Sequence, residues 1–129
     1  MQTFRKDERL CNRRIITSLM TQGESFFIHP FVVKWMECPL QSEFPAQVVF
    51  SVPRKNISSA VNRNRVRRRV REAYRKNKDA FYEVLRSHKR ECAFALIYTS
   101  KDFITYAEAE RKIILILQRL QMEYEKVTG

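Results

Sequence analysis

The sequence predicts an α+β fold in which helices pack against one small mixed sheet. Apolar residues recur with helical spacing near the start, in the middle and at the end of the chain. Runs rich in β-branched and aromatic residues lie between these segments, as expected of strands. The 129 residues, of which 44% are hydrophobic, suit one domain with one core. We therefore treat residues 1–129 as a single domain.

The first element is predicted to be a helix over residues 6–22. Its apolar positions fall on one broad stripe, on which Ile16 and Met20 share a face because they are four residues apart. Gly23 follows at the position expected of a helix C-cap. The stripe comprises Leu10, Ile15, Ile16, Leu19 and Met20.

Two strands are predicted next, over residues 26–36 and 46–52, joined by a hairpin loop over residues 37–45. Pro30 limits the start of the first strand to a sheet edge or a bulge. From Phe31 onward, side chains alternate between a core face and a half-exposed face suited to a ligand. Phe31, Val33 and Trp35 belong to the core face, and Val32, Lys34 and Met36 to the other.

A second helix is predicted to begin between residues 59 and 62, after a basic loop over residues 54–59; Ser58, Ser59 and Asn62 are N-cap candidates. At about 100° per residue, its apolar positions form one arc, comprising Val66, Val70, Ala73, Tyr74 and Phe81. Packing is expected to continue through Val84 and Leu85. One neighbouring arc holds Arg67, Arg68, Arg71 and Arg75, and Arg65 and Arg69 flank the apolar arc on its other side.

A buried central strand is predicted over residues 93–99, where both faces are apolar. Thr105 and Glu108 then form a capping-box pattern that opens the last helix. The inner side of that helix is expected to comprise Ala107, Ile113, Ile114, Leu117, Leu120 and Tyr124.

The positive charge is concentrated in residues 54–78, which hold eleven Lys/Arg against one acid, Glu72, out of a formal net charge of +11. Like charges four residues apart, such as Arg67 with Arg71, oppose helix formation unless an anion offsets them. The run favours Arg, whose guanidinium binds phosphate in a bidentate manner. We therefore expect a nucleic acid to bind this helix rather than solvent alone.

Other functional classes find less support. His29 and His88 are isolated from other ligand types, and no Gly-rich phosphate loop is present, so we propose neither a metal site nor a catalytic residue on the protein. The sequence does not exclude a catalytic triad, because its members come together only in the folded chain. The charged N-terminus, the lack of a long apolar run and three widely spaced cysteines predict a cytoplasmic protein with reduced thiols.

The positive charge alone does not decide whether the bound polyanion is a membrane surface, DNA or RNA. A membrane surface requires a basic helix whose apolar face is free to insert, whereas this apolar face is needed for the core. A DNA major groove could admit the helix. However, strands flank the helix, so it has no helix-turn-helix partner across a short turn.

Residues 60–75, AVNRNRVRRRVREAYR, closely resemble the signature of the protein subunit of bacterial ribonuclease P. The resemblance extends over most of the chain in its order of elements. It implies a two-layer α/β sandwich, similar to a domain of ribosomal protein S5, in the order α-β-β-β-α-β-α. It also implies a left-handed β-α-β crossover, whereas crossovers are right-handed as a rule.

The resemblance further implies a ribonucleoprotein that removes the 5′ leader of precursor tRNA. Its partners are the catalytic RNA, which uses bound Mg²⁺, and the precursor tRNA, with neither a membrane nor DNA. The protein alone is expected to be inactive. A ribosomal or ribosome-assembly protein that binds structured rRNA through the same helix is the alternative.

Site residues follow from the resemblance position by position. The leader cleft is expected to comprise Ile16, Met20, Val32, Lys34, Arg63, Asn64, Arg67 and Arg71. Contacts to the catalytic RNA or to phosphates are expected from Arg54, Lys55, Arg65, Arg68, Arg69 and Arg75. Family members often carry aromatics where Ile16, Met20 and Lys34 stand, so we expect an apolar contact from Met20 and a phosphate contact from Lys34.

Overall fold

The computed structural model describes residues 3–126, and within them the elements follow the predicted class of helices on a mixed sheet. A 3₁₀ turn at Lys6–Glu8 precedes the first helix. The helices are α1 (Arg13–Gln22), α2 (Ala60–Asn77), α3 (Asp79–Ser87) and α4 (Tyr106–Lys126). The strands are β1 (Glu24–Ile28), β2 (Phe31–Glu37), β3 (Ala46–Ser51) and β4 (Cys92–Tyr98).

The sheet has the order β1-β2-β4-β3. Strand β4 pairs with β2 antiparallel and with β3 parallel, so the sheet is mixed. The central position of β4 explains why nearly all of its side chains are buried, as its apolar sequence predicts. The parallel connection from β3 to β4 runs through α2 and α3.

Two apolar clusters form on opposite faces of the sheet. The larger cluster packs α2, α3 and α4 against one face and contains the buried rings of Tyr74, Phe81 and Phe94. The smaller one packs α1 against the other face, where fully buried Leu19 lies in the same cluster as Ala95. The sheet and α2–α4 thus form two layers, and α1 lies on the outer face of the sheet.

The first helix is shorter than predicted. Residues 9–12 are not helical, because the Leu10 N–H donates to the Val48 carbonyl at 2.9 Å and Arg9 bridges to Val48. Helix α1 begins only after Asn12, whose side chain accepts hydrogen bonds from two backbone N–H groups. Gly23 is the C-cap as predicted, but its φ of −68° is ordinary. It is needed for space, since a Cβ there would lie 2.5 Å from the Leu19 carbonyl oxygen.

Two predictions about the strands are wrong. Residues 26–36 form a hairpin of β1 and β2 rather than one strand, with Pro30 in the turn. The segment over residues 37–45 is not a hairpin loop, because β2 and β3 do not pair and β4 lies between them. The second prediction failed because β4 comes from a distant part of the sequence, which local patterns do not reveal.

Helix α2 begins where the sequence predicts, and its apolar stripe is confirmed. Ser59 is the N-cap, and its side chain accepts from the Asn62 N–H. The side chains of the stripe are buried, comprising Val66, Val70, Ala73 and Tyr74. The prediction that this helix continues through Phe81 and Leu85 is wrong. The helix ends at Asn77, and both residues are buried as part of the separate helix α3.

The last helix opens as the capping pattern predicts, with the Glu108 N–H donating to the Thr105 hydroxyl at 3.2 Å. Its inner side is confirmed for four positions, Ile113, Leu117, Leu120 and Tyr124. Ala107 is exposed and Ile114 is only half-buried, and Ala109 and Ile116 face the core instead. No helix within residues 3–126 is both long and apolar enough to cross a membrane.

Candidate nucleic-acid interface

Helix α2 displays its arginines on two flanks because its apolar stripe holds it against the sheet. Arg67 and Arg71 lie on the flank that faces β3. Arg65, Arg68 and Arg69 line a cavity on the opposite flank, beside Tyr106 of α4. The division between the two flanks agrees with the predicted angular positions for Arg65, Arg67, Arg69 and Arg71. It differs for Arg68, which lines the second cavity, and for Arg75, which pairs with Glu72 of that cavity.

The first flank borders what we call the arginine groove, a cavity of about 210 Å³ whose charged residues are Arg9, Arg67 and Arg71. Asn64 accepts a hydrogen bond from Arg67 at 2.5 Å and so orients that guanidinium. The remaining walls come from the N-terminal segment and β3, comprising Phe4, Leu10, Cys11, Val48, Val49 and Phe50.

Arg71 is the most constrained cation of the groove. Its Nε is buried and has no hydrogen-bond partner within residues 3–126. Burial, and then the nearby charges of Arg9, Arg67 and Arg68, lower the pKa of the Arg71 guanidinium. An anion in the groove would offset the repulsion among these cations, so the geometry suits a phosphate.

Arg63 has a different role from its neighbours. Its guanidinium donates to the carbonyls of Ile57 at 3.1 Å and Ser58 at 2.7 Å. It therefore fixes the loop that precedes α2, in which Arg54 and Lys55 are exposed. The resemblance predicts Arg63 in the leader cleft, whereas the hydrogen bonds of its guanidinium in the structure are made to the loop backbone.

The other predicted cleft residues lie on the sheet face that carries α1. Lys34 Nζ donates to the Met20 carbonyl at 3.0 Å, at the C-terminal end of α1, where a cation is favourable. Ile16 and Met20 are half-buried and pack into the smaller apolar cluster. Val32 shares the face of Lys34, because the two are separated by one residue on β2.

The register connects this face to the arginine groove. Lys34 is paired with Ala95 of β4, which is paired with Val49 of β3, a wall of the groove. The next row, which we call the sheet row, runs in parallel across all four strands. It comprises Phe27, Val32, Ile97 and Ser51.

The sequence did not predict Phe27 as part of the cleft. Its side chain is 57% exposed at the end of the sheet row, beside Val32. Treating residues 26–36 as one strand hid this placement, because only the hairpin register brings Phe27 opposite Val32. The face therefore has an exposed aromatic ring even though Ile16, Met20 and Lys34 are not aromatic.

The second flank of α2 borders what we call the α2–α4 cavity. It has a volume of about 450 Å³ and is lined by Arg65, Arg68, Arg69, Glu72 and Tyr106. Arg69 donates to the Ile104 carbonyl at 2.7 Å, and Arg75 pairs with Glu72 at 2.5 Å. Tyr106 was also missed, because nothing in the sequence brings α4 beside α2.

The described residues offer no obvious place for a metal ion on the protein. Within residues 3–126, no three His, Cys, Asp or Glu side chains are grouped closely enough to hold one. His29 is exposed and His88 half-buried. The chemistry that the two flanks supply is cationic hydrogen bonding, with aromatic surface nearby.

Comparisons with known proteins relate nearly the whole chain to one family. The family model described as Ribonuclease P matches residues 4–121. The ribonuclease P protein component of Porphyromonas gingivalis is 34% identical over 118 residues, covering 89% of this chain and 84% of the relative. That of Chlorobium phaeobacteroides is 28% identical over 133 residues, covering 95% and 90%.

Solved structures share the fold. The ribonuclease P protein from Thermotoga maritima has a TM-score of 0.67 at 25% identity, with 87% of this chain and 96% of that chain covered. The protein from Staphylococcus aureus has a TM-score of 0.62 at 22% identity, with 87% and 94% covered.

Proposed function

The chain belongs to the ribonuclease P protein family, and from this premise we propose that it binds both the catalytic RNA and the 5′ leader of precursor tRNA. The observation that carries this proposal is the division of the arginines of α2 between two separate cavities. Two cationic surfaces on one helix allow one protein to contact two RNA segments at once.

The leader is assigned to the groove flank and the sheet face beside it. A phosphate in the arginine groove accepts hydrogen bonds from the guanidiniums of Arg67 and Arg71. The bases then lie over the sheet face, where Val32 and Phe27 supply apolar surface. Ile16 and Met20 form the neighbouring wall, and Lys34 adds a cation.

The catalytic RNA is assigned to the opposite flank. Arg65 and Arg68 are exposed there. Arg54 and Lys55 extend the positive surface through the loop before α2. Arg69 and Arg75 contribute charge, but their guanidiniums are already held by Ile104 and Glu72.

Cleavage is assigned to the RNA of the holoenzyme, which uses Mg²⁺ that the RNA holds. Within residues 3–126, no three His, Cys, Asp or Glu side chains are grouped closely enough to hold the ion. The protein's own contribution is to hold the leader and to place positive charge beside RNA phosphates, which lowers the Mg²⁺ concentration that the RNA needs.

Reconstitution tests this function. Purified protein should not cleave precursor tRNA by itself, and it should restore cleavage at low Mg²⁺ when it is mixed with a bacterial ribonuclease P RNA. Cleavage by the protein alone, or an RNA whose activity at low Mg²⁺ is unchanged by the protein, would refute the proposal.

We expect Phe27→Ala to weaken leader binding by about 1–3 kcal/mol, the usual contribution of one stacked base. The measurement is the affinity of the holoenzyme for precursor tRNA relative to mature tRNA. Phe103→Ala is the matched control, because Phe103 is also an exposed phenylalanine, at 47%, and lies outside the sheet row. If both substitutions changed the affinity for precursor tRNA relative to mature tRNA equally, Phe27 would not contact the leader.

A further inference from the structure

We propose that the α2–α4 cavity binds an unpaired guanine nucleotide of RNA, with the base against Tyr106, and with Arg65 and Arg68 divided between the phosphate and the edge of the base that carries O6 and N7. The assignment of that nucleotide to the catalytic RNA depends on the proposed function. The guanine preference itself depends only on the cavity.

The size and aromatic wall of the cavity suit a base. Its volume of about 450 Å³ lies within the range of small-molecule sites. Tyr106 is half-buried, and its hydroxyl donates to Glu110 Oε2 at 3.2 Å. Lys76 Nζ lies 5.5 Å from the ring centroid, within the range of a cation–π contact. A fixed aromatic ring is the usual platform for stacking an unpaired RNA base.

The charged wall suits a phosphate and one edge of the base. Arg65 and Arg68 form no side-chain hydrogen bond or ion pair with any residue in the range 3–126, so their donors are available. Glu72 is ionised, since its hydrogen bond from Arg75 lowers the pKa of its carboxyl group. A carboxylate has about four acceptor positions, so Glu72 can accept further bonds while it is paired with Arg75.

Guanine matches these groups better than adenine or uracil does. Its O6 and N7 accept a bidentate pair of bonds from arginine, and its N1–H and N2–H groups donate to a carboxylate. Uracil offers less ring area and no amino group, and adenine has a donor at position 6 where arginine needs an acceptor. Inorganic phosphate would leave both Tyr106 and Glu72 unused.

The direct test is a titration of the full chain with GMP, AMP, UMP and inorganic phosphate, followed by nuclear magnetic resonance. We expect GMP to shift the Tyr106 ring signals and the Nε–H signals of Arg65 and Arg68 in a saturable manner. The apparent Kd for GMP should be at least about fivefold lower than for AMP or UMP, as for one base-specific bidentate contact. Equal affinities for all four probes, or shifts centred on Arg71 instead, would overturn the proposal.

Two variants localise the effect. Tyr106→Leu should raise the Kd for GMP by roughly five- to 100-fold, the range expected on losing one stacking contact. Arg68→Ala should also weaken GMP binding, and it replaces an exposed side chain that the core does not need. Arg111→Ala is the matched control, because Arg111 is exposed on α4 and pairs with Glu108 away from the cavity. GMP binding unchanged in both cavity variants would contradict the site.

Measurements on the holoenzyme distinguish the proposed nucleotide site from the proposed function of the protein. Tyr106→Leu should weaken binding of the protein to the catalytic RNA while the preference for precursor over mature tRNA is unchanged. The nucleotide titration needs no catalytic RNA, so a failure of GMP binding refutes the cavity assignment even if the protein activates the RNA.

Discussion

Lys78→Met is expected to destabilise the folded protein by about 3–5 kcal/mol, because it leaves a buried carboxylate without its cation. Lys78 and Glu8 form an ion pair in which the two residues are only 5% and 0% exposed. Lys78 stands where α2 ends and α3 begins, and Glu8 lies in the 3₁₀ turn. The pair therefore joins the N-terminal segment to the break between the two helices.

The groups around Lys78 and Glu8 keep both charged side chains out of contact with water. The Tyr82 hydroxyl donates to Glu8 Oε1 and the Arg5 N–H donates to Oε2, each at 2.6 Å. The Lys78 ammonium lies 5.3–6.0 Å from three aromatic ring centroids, those of Phe4, Phe44 and Tyr82. Burial, with the nearby Tyr74 and Glu8, also raises the pKa of Tyr82, so its hydroxyl remains a donor.

Chemical denaturation measures this effect through the free energy of unfolding. The double variant Glu8→Gln/Lys78→Met removes both charges and should recover part of the loss, because no unpaired charge is left in the core. Lys101→Met is the control for loss of an exposed lysine. A Lys78→Met protein as stable as Lys101→Met would show that the buried pair is not formed.

Arg67→Ala/Arg71→Ala should produce the largest loss of leader binding. Each charge-assisted hydrogen bond contributes about 1.5–3 kcal/mol, so the double variant should lose roughly two to four orders of magnitude in affinity for the leader if the two contributions add. The salt dependence should flatten as well, by about 0.7 in the slope for each lost contact to a single strand.

The measurement is the affinity of the holoenzyme for precursor tRNA at several salt concentrations. Arg111→Ala changes an exposed arginine outside both cavities and should leave the affinity and the slope unchanged. If the double variant lost affinity equally for precursor and mature tRNA, the groove would bind something other than the leader.

Local sequence patterns predicted the elements whose apolar residues follow a helical or strand period. The apolar stripe of α2 required Val66 and Val70 to face the sheet, and this orientation alone separates Arg67 from Arg65 on the helix surface. The two flanks were therefore predictable from helical geometry. The central position of β4 was predictable because its sequence is apolar on both faces.

Features that depend on distant contacts were not predictable. The buried pair of Glu8 and Lys78 joins residues 70 positions apart, and a charged residue is normally expected at the surface. Arg9 was placed in a helix, but pairing with Val48 extends its backbone and brings it to the groove. The position of Phe27 follows only from the register of the hairpin, and that of Tyr106 only from the packing of α4 beside α2.

We propose that the groove flank and the sheet row together hold the 5′ leader. The affinity of the reconstituted holoenzyme for precursor tRNAs whose leaders are shortened one nucleotide at a time measures this binding. We expect affinity to fall stepwise toward that of mature tRNA, and the Arg67→Ala/Arg71→Ala protein to lose most of this length dependence. Equal affinity for precursor and mature tRNA with the unmodified protein would show that these surfaces do not bind the leader.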